Sequence, residues 1–249
     1  MFTRPQIFEQ FTALVAAEST RKNGFSEAPY NSLNLGLYSG DSLENVHKNR
    51  DKFYEALGFS AEKVAFSYQI HEDKVLTVTK AGSYDGFDAL ITNQADVYVA
   101  VTIADCTPIL IYDAKQKAVA AIHAGWRGTV LGIVGKTITQ MTTEFGTNPK
   151  DCFAYVGTCI DECSFEVGEE VAQNFDSQFK RFDAEKAKYF VDLKKANQAQ
   201  LLAVGVPASQ IALSKFSTVL DNDSYFSHRK EKGKTGRMLA IIGIKATDY

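Results

Sequence analysis

Two apolar runs separated by a short polar connection form the clearest pattern in the chain. They cover residues 108–112 and 118–122, a spacing typical of a β-hairpin. If the strands pair about the centre of the connection, Pro108 faces His123, and Cys106 lies within diagonal reach of the same imidazole. The pattern therefore predicts that a thiol and an imidazole meet at one end of a hairpin.

Other apolar segments predict a mixture of strands and helices. Short β-rich runs predict strands, and apolar residues at helical spacing predict helices that end at Gly58, Gly146 and Gly205. The predicted strands cover residues 64–70, 75–79, 88–92, 97–104, 153–156, 225–229 and 238–244. The helical stripes run through Val46, Arg50, Phe53 and Leu57, through Leu131, Val134, Ile138, Met141 and Phe145, through Val171, Phe175 and Phe179, and through Leu193, Ala196, Gln200 and Leu201.

The helix starts and the loops complete this prediction. Asp41 and Asp192 are predicted N-caps, and Gly128 or Thr129 starts the helix after the hairpin. Residues 19–36 are rich in Gly, Pro, Asn and Ser, so we expect a long loop, which is more often functional than idle. Strands and helices alternate irregularly, with no repeat and no linker. We therefore predict a single α+β domain over residues 1–249, with mixed β-sheets flanked by helices.

Composition and charge exclude several classes of protein. Hydrophobic residues make up 45% of the chain and charged residues 23%, as in ordinary soluble globular proteins. The 27 Lys and Arg against 30 Asp and Glu give a net charge of -3, which does not favour nucleic acid or an anionic membrane. We find neither a secretory signal nor an apolar stretch that would cross a bilayer, and so expect a cytoplasmic protein.

The four cysteines are too few for a disulfide framework, so we expect free thiols. Cys152 precedes an apolar strand and is interpreted as a core residue. Cys159 and Cys163 form a C-x-x-x-C segment in a polar loop, without the second ligand pair that a structural zinc site needs. The role of this loop is left open.

His71, Cys106 and His123 each fall at the end of a predicted strand. Together they supply the three ligands that a catalytic zinc takes from a protein, although their separations match no compact zinc finger. The same Cys106 and His123 fit a cysteine hydrolase, as thiolate nucleophile and base. A structural pair, with a buried thiol beside a hydrogen-bonded imidazole, is the third interpretation.

Several short motifs resemble one known family. These are SLNLG at 32–36, GD at 40–41, NR at 49–50, QIH at 69–71, DALIT at 88–92, ADCTPILIYD at 104–113, AAIHAGWRGT at 120–129, EVGEEV at 166–171 and TGRM at 235–238. In this order they resemble the bacterial laccase-domain family, also called multicopper polyphenol oxidase and purine nucleoside phosphorylase. The match spans nearly the whole chain.

The resemblance implies a mixed α+β fold and a zinc site formed by His71, Cys106 and His123, which would also be the catalytic residues; copper is the less expected metal. It further implies phosphorolysis of adenosine, inosine, guanosine and methylthioadenosine to the base and ribose 1-phosphate, with adenosine deamination as a second activity. The partners would be purine nucleosides and phosphate, bound by a monomer or small homo-oligomer.

Charge and placement suggest which residues would bind substrate. The 125–129 segment is glycine-flanked and carries Arg127, so its amides and guanidinium are candidates for phosphate. The further candidates for substrate or phosphate are Arg237, Arg229, Arg21, Gln69 and Asn34.

The chain departs from the family pattern at Gly157-Thr158 and Asp161-Glu162, where relatives commonly read Gly-Pro. If that loop touches substrate, the departure puts nucleoside preference in doubt. Three rival functions stay open: a copper polyphenol oxidase, for which four histidines are few, a cysteine hydrolase editing a cell-wall precursor, and a binding module without activity.

Overall fold

Strands dominate the computed structural model, which describes residues 1–246, and five α-helices lie among them. The predicted α+β class, with mixed sheets flanked by helices, is confirmed. In chain order the elements are β1 (Phe2–Thr3), β2 (Leu14–Ser19), α1 (Leu43–Leu57), β3 (Val64–Tyr68), β4 (Val75–Thr77), β5 (Gly82–Asp85), β6 (Ala89–Thr92), β7 (Tyr98–Ile103), β8 (Thr107–Asp113), β9 (Ala118–Ala124), α2 (Trp126–Val130), α3 (Ile133–Phe145), β10 (Cys152–Val156), β11 (Glu166–Val167), α4 (Glu169–Ala172), β12 (Lys180–Asp183), β13 (Lys188–Val191), α5 (Leu193–Ala203), β14 (Ile211–Leu213) and β15 (Met238–Ile244).

The strands form three sheets. The first sheet has the order β1-β2-β15-β7-β3-β5, the second β14-β10-β8-β9-β6-β4, and the small third sheet β11-β13-β12. Both large sheets are mixed: β3 is parallel to β5 and β7, whereas β15 is antiparallel to β2 and β7. In the second sheet β10 is parallel to β14 and antiparallel to β8.

Successive side chains on the central strands point to opposite faces of their sheet, and this alternation explains why the two large sheets stack. On β15, Leu239 and Ile241 pack towards α1, while Ala240 and Ile242 pack between the sheets. On β8, Leu110 points between the sheets and Ile109 packs towards α3 and α5. The result is four layers, helix, sheet, sheet and helices. Each fully buried aliphatic side chain contributes about 1.5–3 kcal/mol to the stability of this arrangement.

The predicted hairpin and its register are confirmed. Strands β8 and β9 pair antiparallel, and Pro108 lies opposite His123. Cys106 directly precedes β8, so the thiol and the imidazole lie at the same end of the ladder. Cys152 is buried in the core beneath this sheet, as predicted.

Three element predictions are wrong in detail. The first helix is capped at Ser42, because the Asp41 side chain instead accepts hydrogen bonds from the Ser42 amide and from Asn34. Residues 225–229 form turns rather than a strand, because the Arg229 amide donates to the Asp105 carboxylate instead of to a ladder. The stripe that includes Phe179 is cut short: α4 ends at Ala172, and a separate 3-10 turn carries Phe179.

The remaining helix predictions hold, except that the helix after the hairpin is divided and begins at Trp126, after the Gly125 N-cap, and not at Gly128 or Thr129. Gly58 and Gly146 end their helices in left-handed conformations, and the Asp192 side chain caps α5 by accepting from the Lys195 amide. The helix after the hairpin is split into α2 and α3, because Gly132 adopts φ 78° between them. Within residues 1–246, no helix has both the length and the apolar character required to cross a bilayer.

Candidate active site

A cleft of about 450 Å³ opens at the edge where the two large sheets meet. This volume lies in the usual range of small-molecule sites. Its lining combines residues of β3 and β7, the loop before α1, the ends of β8 and β9, and the turn before β15. The lining residues are Gly36, Leu37, Tyr38, Ser39, Arg50, Phe66, Ser67, Tyr68, Gln69, His71, Ala100, Thr102, Ala104, Asp105, Cys106, His123, Ile160, Phe165, His228, Arg229 and Arg237.

His71, Cys106 and His123 converge in this cleft. The ligand atoms of all three side chains lie within 4.8 Å of one another. The two imidazole rings meet edge to face, with ring centroids 4.8 Å apart. His71 is exposed and His123 is buried, so the cluster is accessible from one side. No other group of His, Cys, Asp and Glu in residues 1–246 has the geometry to hold a metal ion.

Backbone conformation brings the cluster together. His71 lies in the turn after β3 with φ 61°, and Asp105 precedes Cys106 with φ 82°, both in the left-handed region that few residues with a Cβ adopt. Gly125 follows β9, and a Cβ on it would lie 3.2 Å from the Cys106 sulfur. A side chain at position 125 would therefore crowd the thiol.

The electrostatics of the cluster favour a thiolate beside a charged imidazole. Burial opposes ionisation of Cys106, but His123 and His71 outweigh it and lower the pKa of the thiol to about 6. Burial also opposes the charge on His123, yet the Cys106 thiolate and Asp88 raise the pKa of this imidazole. The His123 Nδ1 atom lies 2.7 Å from the Asp88 carboxylate, so its Nε2 atom is free to face the cleft.

This donor set fits a metal ion by its chemistry. A thiolate and two imidazoles are ligands that transition metals such as zinc prefer, and three protein ligands leave further positions for water or substrate. The carboxylate behind His123 is the usual partner of a metal-bound imidazole.

Three guanidinium groups, those of Arg50, Arg229 and Arg237, line the cleft without a carboxylate partner among the described residues. Arg50 is 5% exposed, and its Nε atom donates to the Leu35 carbonyl oxygen. Arg237 donates through Nη1 to the backbone carbonyls of residues 235 and 236, and burial lowers its pKa. None of the three forms an ion pair within residues 1–246. Gly36 lies against Arg237, since a Cβ on it would lie 2.6 Å from the Arg237 Cγ atom.

The predicted basic residues divide into two groups. Arg237 and Arg229 line the cleft, and Arg229 also donates to the carbonyls of Ser164 and Glu166. Arg127 is exposed outside the cleft lining and stacks on Trp126, with 4.5 Å from its Cζ atom to the ring centroid. Arg21 likewise lies outside the lining, in an ion pair with Glu231 at 2.9 Å.

Gln69 and Asn34 are engaged by backbone groups. Gln69 lines the cleft, but its side-chain oxygen accepts from the Thr102 amide and its nitrogen donates to the Thr102 carbonyl. Asn34 is buried behind the lining, where its oxygen accepts from the amides of Gly36 and Arg237. Both side chains therefore hold cleft residues in place.

Four residues of functional interest escaped the sequence prediction. Arg50 was placed in an apolar helix stripe, where an arginine is itself an unusual signal. Asp88 precedes a buried strand and contacts His123. The exposed Tyr38 and Tyr68 meet edge to face at the cleft, with centroids 4.9 Å apart. A single aromatic residue, such as Tyr38 in a loop or Tyr68 at the end of β3, gives no comparable signal.

The polar loop of residues 157–163 reaches the cleft through Ile160. Its Cys159 is buried, whereas Cys163 is exposed and lies 2.5 Å from an Asp161 oxygen. The Thr158 amide donates to the buried Glu18 carboxylate. Within this loop, therefore, Ile160 lines the cleft and Thr158 contacts Glu18.

Comparison with known proteins gives matches over nearly the whole chain. The model of the family described as multi-copper polyphenol oxidoreductase laccase matches residues 15–245. A Bacteroides thetaiotaomicron protein named purine nucleoside phosphorylase is 40% identical over 244 residues, covering 91% of this chain and 90% of that protein. A Geobacillus stearothermophilus protein named purine nucleoside phosphorylase YlmD is 35% identical over 267 residues, covering 96% of this chain and 97% of that protein.

Solved structures agree with this match. The crystal structure of YlmD from Geobacillus stearothermophilus superposes with a TM-score of 0.91 at 34% identity, covering 96% of this chain and 94% of that chain. A Bacillus licheniformis protein titled hypothetical protein YfiH gives a TM-score of 0.91 at 31% identity, with the same coverage. The chain therefore belongs to the multi-copper polyphenol oxidoreductase laccase family.

Proposed function

We propose that this chain is a zinc-dependent purine nucleoside phosphorylase with adenosine deaminase as a second activity. Its substrates would be adenosine, inosine, guanosine and methylthioadenosine, each cleaved by phosphate to the free base and the corresponding ribose 1-phosphate. One observation carries the proposal: a His-Cys-His cluster and guanidinium groups without carboxylate partners among the described residues share one cleft. Relatives named purine nucleoside phosphorylase support it.

The guanidiniums suit the phosphate. Arg50 and Arg237 are both anchored to backbone carbonyls, so their positions are fixed before an anion arrives. A phosphate between them would satisfy charges that the protein leaves uncompensated, through charge-assisted hydrogen bonds. In phosphorolysis a phosphate oxygen forms a bond to C1′, the bond from C1′ to the purine nitrogen breaks, and its electron pair and a proton go to the purine. Arg50 and Arg237 would hold the attacking oxygen in line for that displacement.

The His-Cys-His cluster suits the second activity. His71, Cys106 and His123 would hold zinc, which supplies Lewis-acid activation of water near neutral pH. The protein's own contribution is to keep Cys106 ionised and His123 oriented by Asp88. Tyr38 and Tyr68 at the cleft offer aromatic surface to a purine ring.

Metal and product analysis tests the proposal. Protein purified without added metal should hold about one zinc per chain. Adenosine with phosphate should yield adenine and ribose 1-phosphate, and adenosine without phosphate should yield inosine. Arg127→Ala is the matched control for Arg237→Ala, because Arg127 lies outside the cleft lining. Adenine release at equal rates with and without phosphate would contradict phosphorolysis.

One observation favours a second candidate, a cysteine hydrolase. Asp88, His123 and Cys106 follow one another as in a Cys-His-Asp triad, and the lowered pKa of Cys106 suits a nucleophile. Chelation and alkylation separate the candidates. Full activity after chelation, abolished by a thiol reagent, would favour the hydrolase, whereas loss of activity on chelation and its return with zinc would favour the phosphorylase.

A further inference from the structure

The buried Asp88 carboxylate contacts two of the three residues of the His-Cys-His cluster, His71 and His123. It is fully buried at the residue before β6, on the second sheet. Its oxygens accept from the backbone amides of Ile70, His71 and Glu72 at 3.2, 3.0 and 2.9 Å. One oxygen, Oδ1, also faces the His123 Nδ1 atom at 2.7 Å.

A single carboxylate oxygen thus connects the two imidazole residues. Oδ1 accepts from the His71 amide and faces the His123 ring; His71 lies in the connection from β3 of the first sheet to β4 of the second, and His123 lies on β9 of the second sheet. The turn carrying His71 has φ 61°, a conformation that a residue with a Cβ adopts reluctantly. Three amides bonded to Asp88 hold this turn in place. The bond to Nδ1 also directs the Nε2 atom of His123 towards Cys106.

We infer that Asp88 is a positioning residue that sets the separation of His71 and His123 and fixes the ring orientation of His123 for metal binding. This inference rests on the metal site of the proposed function. Without the carboxylate, the turn at His71 has no buried acceptor for its amides, and the His123 ring loses the group that orients it. The site would then have to be assembled at the moment of binding.

The test compares two buried carboxylates of the same sheet. Asp88→Asn replaces one of the two acceptor oxygens by an NH₂ group, so the side chain can no longer accept all four hydrogen bonds that the carboxylate accepts. Asp113→Asn is the matched control, because Asp113 is also fully buried and accepts amides of its own turn, at the opposite end of the same hairpin. Zinc affinity, measured by competition with a chromophoric chelator, should fall about 10–100-fold in Asp88→Asn and stay unchanged in Asp113→Asn.

A spectroscopic measurement distinguishes positioning from loss of fold. Cobalt(II) in place of zinc should give an altered absorption spectrum in Asp88→Asn, since a displaced imidazole changes the ligand field, and a wild-type spectrum in Asp113→Asn. Should Asp88→Asn not fold, Asp88→Glu keeps the charge, moves it by one methylene, and is expected to lose affinity and change the spectrum likewise.

The outcomes separate the inference from the proposed function. If wild type and Asp113→Asn bind zinc and folded Asp88→Asn or Asp88→Glu binds it equally well with the same cobalt spectrum, the positioning role is overturned and the metal site stands. If wild type binds neither metal, both the inference and the metal site fail.

Discussion

Gly125 offers the sharpest perturbation of the cluster, because a methyl group there contacts the site and little else. Its backbone, at φ -68° and ψ 173°, is open to alanine, so Gly125→Ala introduces no backbone strain. The added carbon would lie 3.2 Å from the Cys106 sulfur and 3.5 Å from the His71 ring. Ordinary contacts between carbon atoms are about 3.5–4.0 Å, so the sulfur must move by about 0.3–0.8 Å.

The expected cost follows from that displacement. A misplacement of about 1 Å in a catalytic site costs about 10²-fold, so a shift of about 0.5 Å should lower kcat/KM for phosphorolysis about tenfold, with weaker zinc binding. Stability should change little, because alanine gains about 0.4–1 kcal/mol through the unfolded chain and loses a similar amount to the tight contact. The Tm should stay within about 4 °C of wild type.

The assay combines steady-state kinetics, zinc competition and calorimetry on Gly125→Ala and a control. Gly135→Ala is suitable, because Gly135 lies within α3 and an added Cβ would meet Val204 at an ordinary 3.6 Å. This control should gain about 0.5–1 kcal/mol of stability and keep wild-type activity. Wild-type activity and zinc affinity in Gly125→Ala would refute the steric reasoning, as would a global loss of stability in place of a local defect.

Three further predictions concern phosphate, pH and the aromatic pair. Arg237→Ala and Arg50→Ala should each raise the KM for phosphate at least tenfold, because each removes a guanidinium that has no carboxylate partner among the described residues. Arg127→Ala should leave this KM unchanged. An unaltered phosphate KM in both cleft variants would exclude Arg237 and Arg50 from the phosphate site. Burial raises the pKa of Glu18 above 4.5, so its contribution to stability is full below pH 4.5 and is lost as the pH rises through the raised pKa. Urea unfolding from pH 4 to 8 should therefore show a smaller decline in Glu18→Gln than in wild type, and identical slopes would contradict this origin. Tyr68→Ala should raise the KM for nucleoside severalfold and leave the phosphate KM unchanged, because it removes aromatic surface at the cleft. If both KM values stay constant and only the rate of product release changes, Tyr68 does not contact the purine.

The local sequence pattern was sufficient to predict the hairpin and the meeting of two of the three cluster residues. The apolar runs of β8 and β9 fix their own register, so the meeting of Cys106 and His123 followed from spacing. His71 was predicted as a strand-end residue, yet its approach to the others depends on the stacking of two sheets. No local rule gives that stacking; the position of His71 at a predicted strand end made it a candidate ligand, and the resemblance to a family implied the same three residues.

The misplaced and missed residues have physical causes. Arg127 follows Trp126 and stacks on it, which turns the guanidinium outwards, and neighbouring sequence does not reveal such an orientation. Arg50 occupies an apolar stripe because its guanidinium lies over the ring of Phe66, another residue of the cleft lining, with 4.4 Å from Cζ to the ring centroid. A buried arginine is informative once its surroundings are known to lack a carboxylate.

The bonds between Asp88 and the turn after β3 also bear on how the protein tolerates change. Elsewhere the two large sheets are held apart by aliphatic side chains, and such packing accepts volume-conserving replacements with small sliding movements. At the cleft, the connection from β3 to β4 is held instead by three amides that donate to the Asp88 carboxylate, and hydrogen-bond geometry admits little variation. Small shifts of the sheets can therefore accommodate substitutions in the core between them without moving the cleft residues. The core can change in sequence while the cleft keeps its dimensions.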